Sequence, residues 1–279
     1  MFNGPLAALC AGVIDEVHDF AGVGISWREL LREPYAGHFN ILIATEPKIR
    51  NALLLKRLSH DVFISPAANF RFSDRRLEPG SVYPESIFEQ LHCLAKLSVG
   101  HELHIDPQVR VGPENERLAG DLLPADNRYI GFAPGSAGAS KRWPLSRFIQ
   151  LAKKTSLRGL RPVFFLGPDE TSMQGQISAA LPEALFPEQS IDGGPLLSIA
   201  LAARIDVGVA NDAGGGHILA AGGRPLISLF GHTSEQKFKP PYGTRVAVNS
   251  SDYGGTDMSL IPVERVFNEI ELLGGLRRG

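Results

Sequence analysis

The chain has 279 residues, with 28 Lys and Arg against 30 Asp and Glu, a formal net charge of −2 and 43% hydrophobic residues. That length supports a full core in one large domain or two medium ones, and the near-neutral balance excludes a general affinity for nucleic acid. No apolar run reaches the roughly 18 residues of a membrane span, and Cys10 and Cys93 lie far apart, outside any metal-ligand spacing, as expected of a reduced, cytoplasmic protein.

In chain order, MFNGPLAALCAG lacks the basic n-region of a signal peptide. EVHDF then reads as a strand, SWRELLRE as a helix and HFNILIAT as a strand. The helical PKIRNALLLKRL, the strand HDVFIS and the long helix YPESIFEQLHCLAKLSVG follow. Such alternation predicts a parallel sheet with helices on its faces. The stretch from 104 to 127, HIDPQVRVGPENERLAGDLLPADN, is polar, carries Pro and Gly and has no sustained period. It is the linker candidate, dividing a domain at 1–122 from one at 123–279.

The second domain starts with the strand YIGFAP, the loop GSAGASKRWP, the helix LSRFIQLAKKTSLRG and the strand RPVFFLG. It continues through DETSMQGQISAAL, the helix LLSIALAAR, the strand DVGVA, a glycine loop and the strand PLISLFG. In the tail, Val263, Val266, Phe267, Ile270 and Leu273 form a helical stripe. This domain also reads as doubly wound.

The loop VANDAGGGHILAAGG places Asp212, Ala213, Gly214, Gly215, Gly216 and His217 at a strand-to-helix turn. Glycine permits positive φ and lets a ligand approach bare N–H groups, and a helix start adds unpaired N–H groups and partial positive charge. Together they form a cradle for an anion such as a diphosphate, with Asp212 and His217 at its rim. The competing reading is a plain turn with a structural histidine.

GFAPGSAGASKRWP again joins a strand to a helix, offering the Ser136 and Ser140 hydroxyls and the Lys141 ammonium. Lys141 could take the place of a metal beside a phosphate, or be a solvated surface lysine. Glu170, in LGPDE, could accept from a ribose diol at the strand's carboxyl end or sit in a first helical turn as a cap. Other motifs fail. GVGISW lacks the third glycine of a dinucleotide fingerprint, PGSAG has Pro134 where a hydrolase elbow needs glycine, and His101 and His104 of HELH have no third zinc ligand. An Asp-x-Asp motif for a divalent ion is absent. Lys237 and Lys239 are a candidate for peripheral membrane contact, the simpler reading being a solvated loop.

APGSAGASKRWP, FFLGPDE and VANDAGGGHILAAGGRPLISLFG, in this order, resemble the nucleotide-sugar domain of glycosyltransferase family nine, the bacterial lipopolysaccharide heptosyltransferases. The resemblance covers residues 127–275 well and the first domain more weakly. It implies an α/β fold of GT-B type, two Rossmann-like doubly wound domains, with the donor in the second and the acceptor mostly in the first. It also implies that Ser136 and Lys141 hold the donor diphosphate and that Glu170 reaches sugar hydroxyls. Asp212, Gly214 and His217 match the family's Asp-Thr-Gly-x-x-His element, with Ala213 in place of the usual Thr or Ser.

PLAALCAGVIDEVHDF resembles the family only from the segment leading into its third strand. The expectation is therefore an incomplete N-terminal domain, without the family's first strand and its glycine turn bearing the Asp general base. No catalytic base is assigned. The resemblance implies an inverting transferase with no cofactor and no metal. It would move a sugar, a heptose in this family, from an ADP-heptose-like donor to a lipopolysaccharide or other saccharide acceptor; the expected location is the cytoplasm, with peripheral contact at the inner membrane as a further candidate. Two alternatives are a non-catalytic nucleotide-sugar binding module and an epimerase of the same architecture.

Overall fold

A computed structural model describes residues 37–106, 108–167, 170–189 and 193–274. The chain divides into two compact units, Met1–Asp106 and Pro107–Gly279. The expected strand EVHDF, the helix SWRELLRE and Cys10 lie outside the described residues. No helix among those residues is long and apolar enough to cross a membrane.

In the first unit, β1 (His38–Ile43) and β2 (Ser59–Ile64) pair in parallel, with His38 opposite Ser59 and Ile43 opposite Ile64. Parallel neighbours need a crossover, supplied here by α1 (Ile49–Leu55). Ala68, Asn69 and Phe70 then take positive φ, a left-handed turn that sequence pattern did not predict. It puts Phe70 in the core, edge-on to Tyr83 at 5.2 Å. Next comes α2 (Ile87–Val99), ended by Gly100 at φ 79°, the usual left-handed stop.

The second unit begins earlier than the expected boundary of 122/123. Residues expected as linker form α3 (Pro113–Leu122), which opens on proline and carries Glu114 and Glu116 in its first turn, both favourable helix starts. Ala119 is buried, Leu118 and Leu122 pack with it, and Arg204 Nε ties down the Leu123 carbonyl at 2.5 Å. The helix thus packs on α6 (Gly194–Ala202), inside the second unit.

Five parallel strands follow: β3 (Tyr129–Ala133), β4 (Arg161–Phe164), β5 (Val207–Asn211), β6 (Leu226–Phe230) and β7 (Arg245–Asn249), in the order β4-β3-β5-β6-β7. β3, β5 and β6 are buried along their whole length, which is why each reads as a continuous apolar run. One face carries α4 (Leu145–Ser156), α5 (Thr171–Ala180) and α8 (Val263–Leu272), with Phe132, Trp143, Phe148, Ile177 and Val266 in the core. The other carries α3, α6 and α7 (Gly214–Ala221), over Leu197, Leu201 and Leu219.

Candidate functional site

The strand order reverses at β3. Its successor β4 lies on one side and β5 on the other, so the loops leaving the carboxyl ends of β3 and β5 diverge and open a crevice. Open α/β sheets bind ligands at such a switch point. The two loops there are 134–143 and 211–217, the two singled out by their sequence.

The end of β5 and the residue after it supply two consecutive polar side chains, both engaging the 134–143 loop. Asn211 is only 1% exposed. Its Oδ1 accepts the Trp143 N–H at 3.0 Å and its Nδ2 donates to the Pro134 carbonyl at 2.7 Å. Asp212 turns towards Lys141, with Nζ 3.6 Å from Oδ2, an ion pair longer than the 2.7–2.9 Å of a charge-assisted hydrogen bond. The Asp212 side chain is 8% exposed and that of Lys141 33%. The Lys141 ammonium also lies 5.6 Å from the Phe238 ring.

Two buried oxygens here have no hydrogen-bond partner, Ser136 Oγ and Asp212 Oδ2. Burying an unpaired polar atom costs about 1–3 kcal/mol; Tyr83, His92, Ser156 and Arg245 carry such atoms elsewhere among the described residues, so the Ser136 and Asp212 oxygens count for their position. Both sit where sequence placed an anion cradle, beside its lysine. Arg142 braces the loop from within, donating from Nε and Nη2 to the Ser136 carbonyl at 2.8 and 2.5 Å. The Trp143 indole N–H anchors it to the Ile261 carbonyl at 3.0 Å.

The three glycines have a different role from the positive φ expected of them, because none of Gly214, Gly215 or Gly216 lies in the left-handed region. They form the first turn of α7. A Cβ on Gly215 would come within 2.9 Å of Ala133 Cβ, and one on Gly216 within 3.0 Å of the Asn211 carbonyl. Those two glycines let the helix start press against β3 and β5. Gly214 instead has nothing within 4 Å of a built Cβ, leaving bare backbone. Ala213 is the N-cap, extended and without a side-chain cap, so Asp212 does not cap this helix.

His217 stands on the same turn and is exposed, yet crowding by surrounding protein pushes its imidazole below the usual histidine range, against the pull of the Asp212 carboxylate. Glu170 folds back across the crevice wall, Oε2 accepting the Gly167 N–H at 2.6 Å. A Cβ on Gly135 would fall 1.8 Å from Glu170 Oε1. Gly135 is therefore what admits this carboxylate to the loop after β3. Behind it, burial pushes the Glu188 carboxyl up, and the Glu170 charge adds to that, while bonds from Ser198 and the Leu166 N–H oppose it.

The structure thus brings Ser136, Lys141, Asp212, Ala213 and Gly214 to one crevice, with Glu170 and His217 at its rim. Sequence reading missed Asn211, Arg142 and Glu188, while the Trp143-Pro144 pair reads as stiffening the turn that Trp143 anchors. The one available signal was Asn211 itself, an amide closing an otherwise apolar strand. Of the two lysines considered for membrane contact, Lys239 pairs with Glu235 at 2.7 Å and Lys237 lies 5.3 Å from the Phe238 ring.

Comparison with known proteins follows the same lines. Residues 27–259 match the family model described as glycosyltransferase family 9 (heptosyltransferase). Lipooligosaccharide heptosyltransferase 2 of Haemophilus influenzae is 36% identical over 130 residues, 45% of this chain and 37% of the relative. The matched segments span 37–42% of the length of such curated relatives. Among solved structures, a family 9 glycosyltransferase from Veillonella parvula superposes with a TM-score of 0.68 at 20% identity, covering 88% of this chain and 76% of the other. The E. coli heptosyltransferase WaaC with ADP gives 0.64 at 19%, covering 88% and 81%. These superpositions show a shared fold, the GT-B type expected from sequence.

Proposed function

Because the chain belongs to glycosyltransferase family 9, the heptosyltransferases, we propose that its second unit holds a nucleotide-sugar of the ADP-heptose class for transfer to a lipopolysaccharide saccharide. The observation that carries this reading is the Lys141 ammonium, paired with the buried Asp212 Oδ2 at 3.6 Å but without a hydrogen bond to it, on the same loop as the buried Ser136 hydroxyl at the β3/β5 switch point. A WaaC structure contains ADP, and another contains an ADP-2-deoxy-2-fluoro heptose; a diphosphate of that kind fits the donors collected here.

In this reading Lys141, the Ser136 hydroxyl and the free N–H groups at the start of α7 receive the diphosphate. The carboxylates of Asp212 and Glu170 accept hydrogen bonds from donor hydroxyls. An acceptor hydroxyl oxygen bonds to the anomeric carbon as the bond from that carbon to the β-phosphate oxygen breaks, with inversion. The acceptor's hydroxyl proton passes to water, and the electron pair of the broken bond departs with ADP. Charge builds on the leaving phosphate, and preorganised donors aimed at developing charge are a major source of catalysis. Lys141 and the helix start supply that charge compensation in place of a divalent ion. The enzyme would work in the cytoplasm, meeting its acceptor at the inner membrane.

Incubation with ADP-heptose and a heptose-less lipopolysaccharide, in EDTA, tests the reading by mass spectrometry for the added sugar and by NMR of the new linkage for its configuration. The acceptor should gain one heptose of inverted anomeric configuration. An unchanged acceptor, a retained configuration or a strict need for magnesium would contradict it.

A further inference from the structure

We propose that Asn211 is the positioning residue of this cradle: one buried amide fixes both stems of the 134–143 loop and so holds Lys141 short of closing onto Asp212. The inference rests on reading the cradle as a diphosphate site.

The two groups Asn211 engages have no partner in regular structure. Pro134 lies just past β3, and Trp143 just before Pro144, the N-cap of α4. A buried backbone group must be paired somewhere, and Asn211 Nδ2 and Oδ1 pair both, at 2.7 and 3.0 Å. An amide donates from its nitrogen and accepts at its oxygen, two separate atoms that here reach two separate backbone groups. Aspartate would lose the donor and set a charge against the Pro134 carbonyl, while alanine would lose both bonds.

Between the stems, Ala139, Ser140 and Lys141 form a short 3-10 turn, with the Lys141 N–H on the Gly138 carbonyl at 3.0 Å. Arg142 ties the far side of the loop to the Ser136 carbonyl. The stems therefore set where the lysine stands. At 3.6 Å from Asp212 Oδ2, its ammonium is close enough to be held by charge and too far to commit its N–H bonds. They stay available to an anionic oxygen. A loosened loop would let Lys141 and Asp212 shorten to an ordinary charge-assisted bond, which competes with the phosphate. Asn211, the last residue of β5, thus braces the loop, and Asp212, just past the strand, faces its lysine.

The test is calorimetric titration of the full chain with ADP and with adenosine, for wild type, Asn211→Ala, Lys141→Ala and the double variant, with thermal melts alongside. Asn211→Ala should lose about tenfold or more in ADP affinity and less than about twofold for adenosine. In the Lys141→Ala background the same change should cost less than about threefold, because the effect runs through the lysine. Asn211→Asp, which keeps the Trp143 bond, serves if the alanine variant does not fold, with the same preference for ADP loss. A lower melting temperature with ADP binding unchanged below the transition, equal losses for both ligands, or full additivity with Lys141→Ala would each overturn the inference. Wild type failing to bind ADP would remove the proposed function and this inference with it.

Discussion

Replacing Lys141 by alanine should weaken ADP far more than adenosine. A phosphate oxygen about 4 Å from the ammonium gains roughly 4 kcal/mol at an effective dielectric of 20. That figure needs discounting, since the Lys141 side chain is 33% exposed and solvent screens it. Hydrogen bonds to charged groups contribute about 1.5–3 kcal/mol net, so the expected loss is roughly 10- to 100-fold in ADP affinity. Adenosine carries no phosphate and should change by less than about twofold. Removing the lysine also leaves the Asp212 carboxylate, 8% exposed, facing the diphosphate without compensation, which pushes the loss towards the upper end. Lys141→Arg should recover part of the affinity and the salt dependence. The assay is calorimetry at low and high ionic strength. Equal losses for ADP and adenosine, or an ADP loss indifferent to salt, would refute the assignment.

Ala213→Ser should add the missing N-cap hydroxyl to α7 at an already extended residue, raising unfolding stability in urea by about 0.5–1 kcal/mol; no change would mean the hydroxyl cannot reach the helix N–H groups. Gly215→Ala should lower stability by about 1–3 kcal/mol, since its Cβ meets Ala133 Cβ at 2.9 Å, whereas Gly214→Ala should fold normally and lose nucleotide affinity if backbone is approached there. Glu188 gives a pH signature. Its folded carboxyl lies above the ordinary 4.5, so its contribution to stability is fully present below that value and is lost as pH rises through the folded one. Glu188→Gln should therefore be more stable than wild type near neutral pH, with the advantage shrinking as pH falls; an advantage independent of pH would contradict the burial argument.

The second unit was legible because β3, β5 and β6 are buried from end to end, so YIGFA, VGVAN and LISLF stand out as apolar runs. β7 was not, because its RVAVN is only partly buried at the edge of the sheet and starts on arginine. α3 hid in an apparent linker because it shows one small apolar face, Leu118, Ala119 and Leu122, among charges. At the site, Ser136, Lys141 and Asp212 were readable from loop chemistry at strand ends. Asn211 was not, since its partners stand 77 and 68 residues away in sequence. The glycine run signalled a special turn, but sequence could not say that two of its members answer to close packing on β3 and β5 rather than to φ.

The most direct test is a crystal structure of the chain with ADP grown in EDTA. The account predicts the diphosphate between the β3 and β5 loops, with one oxygen within hydrogen-bond reach of Lys141 Nζ, another on Ser136 Oγ, and the start of α7 beneath it. A diphosphate bound elsewhere on the chain, or one held in that crevice without contact to either Lys141 or Ser136, would contradict it.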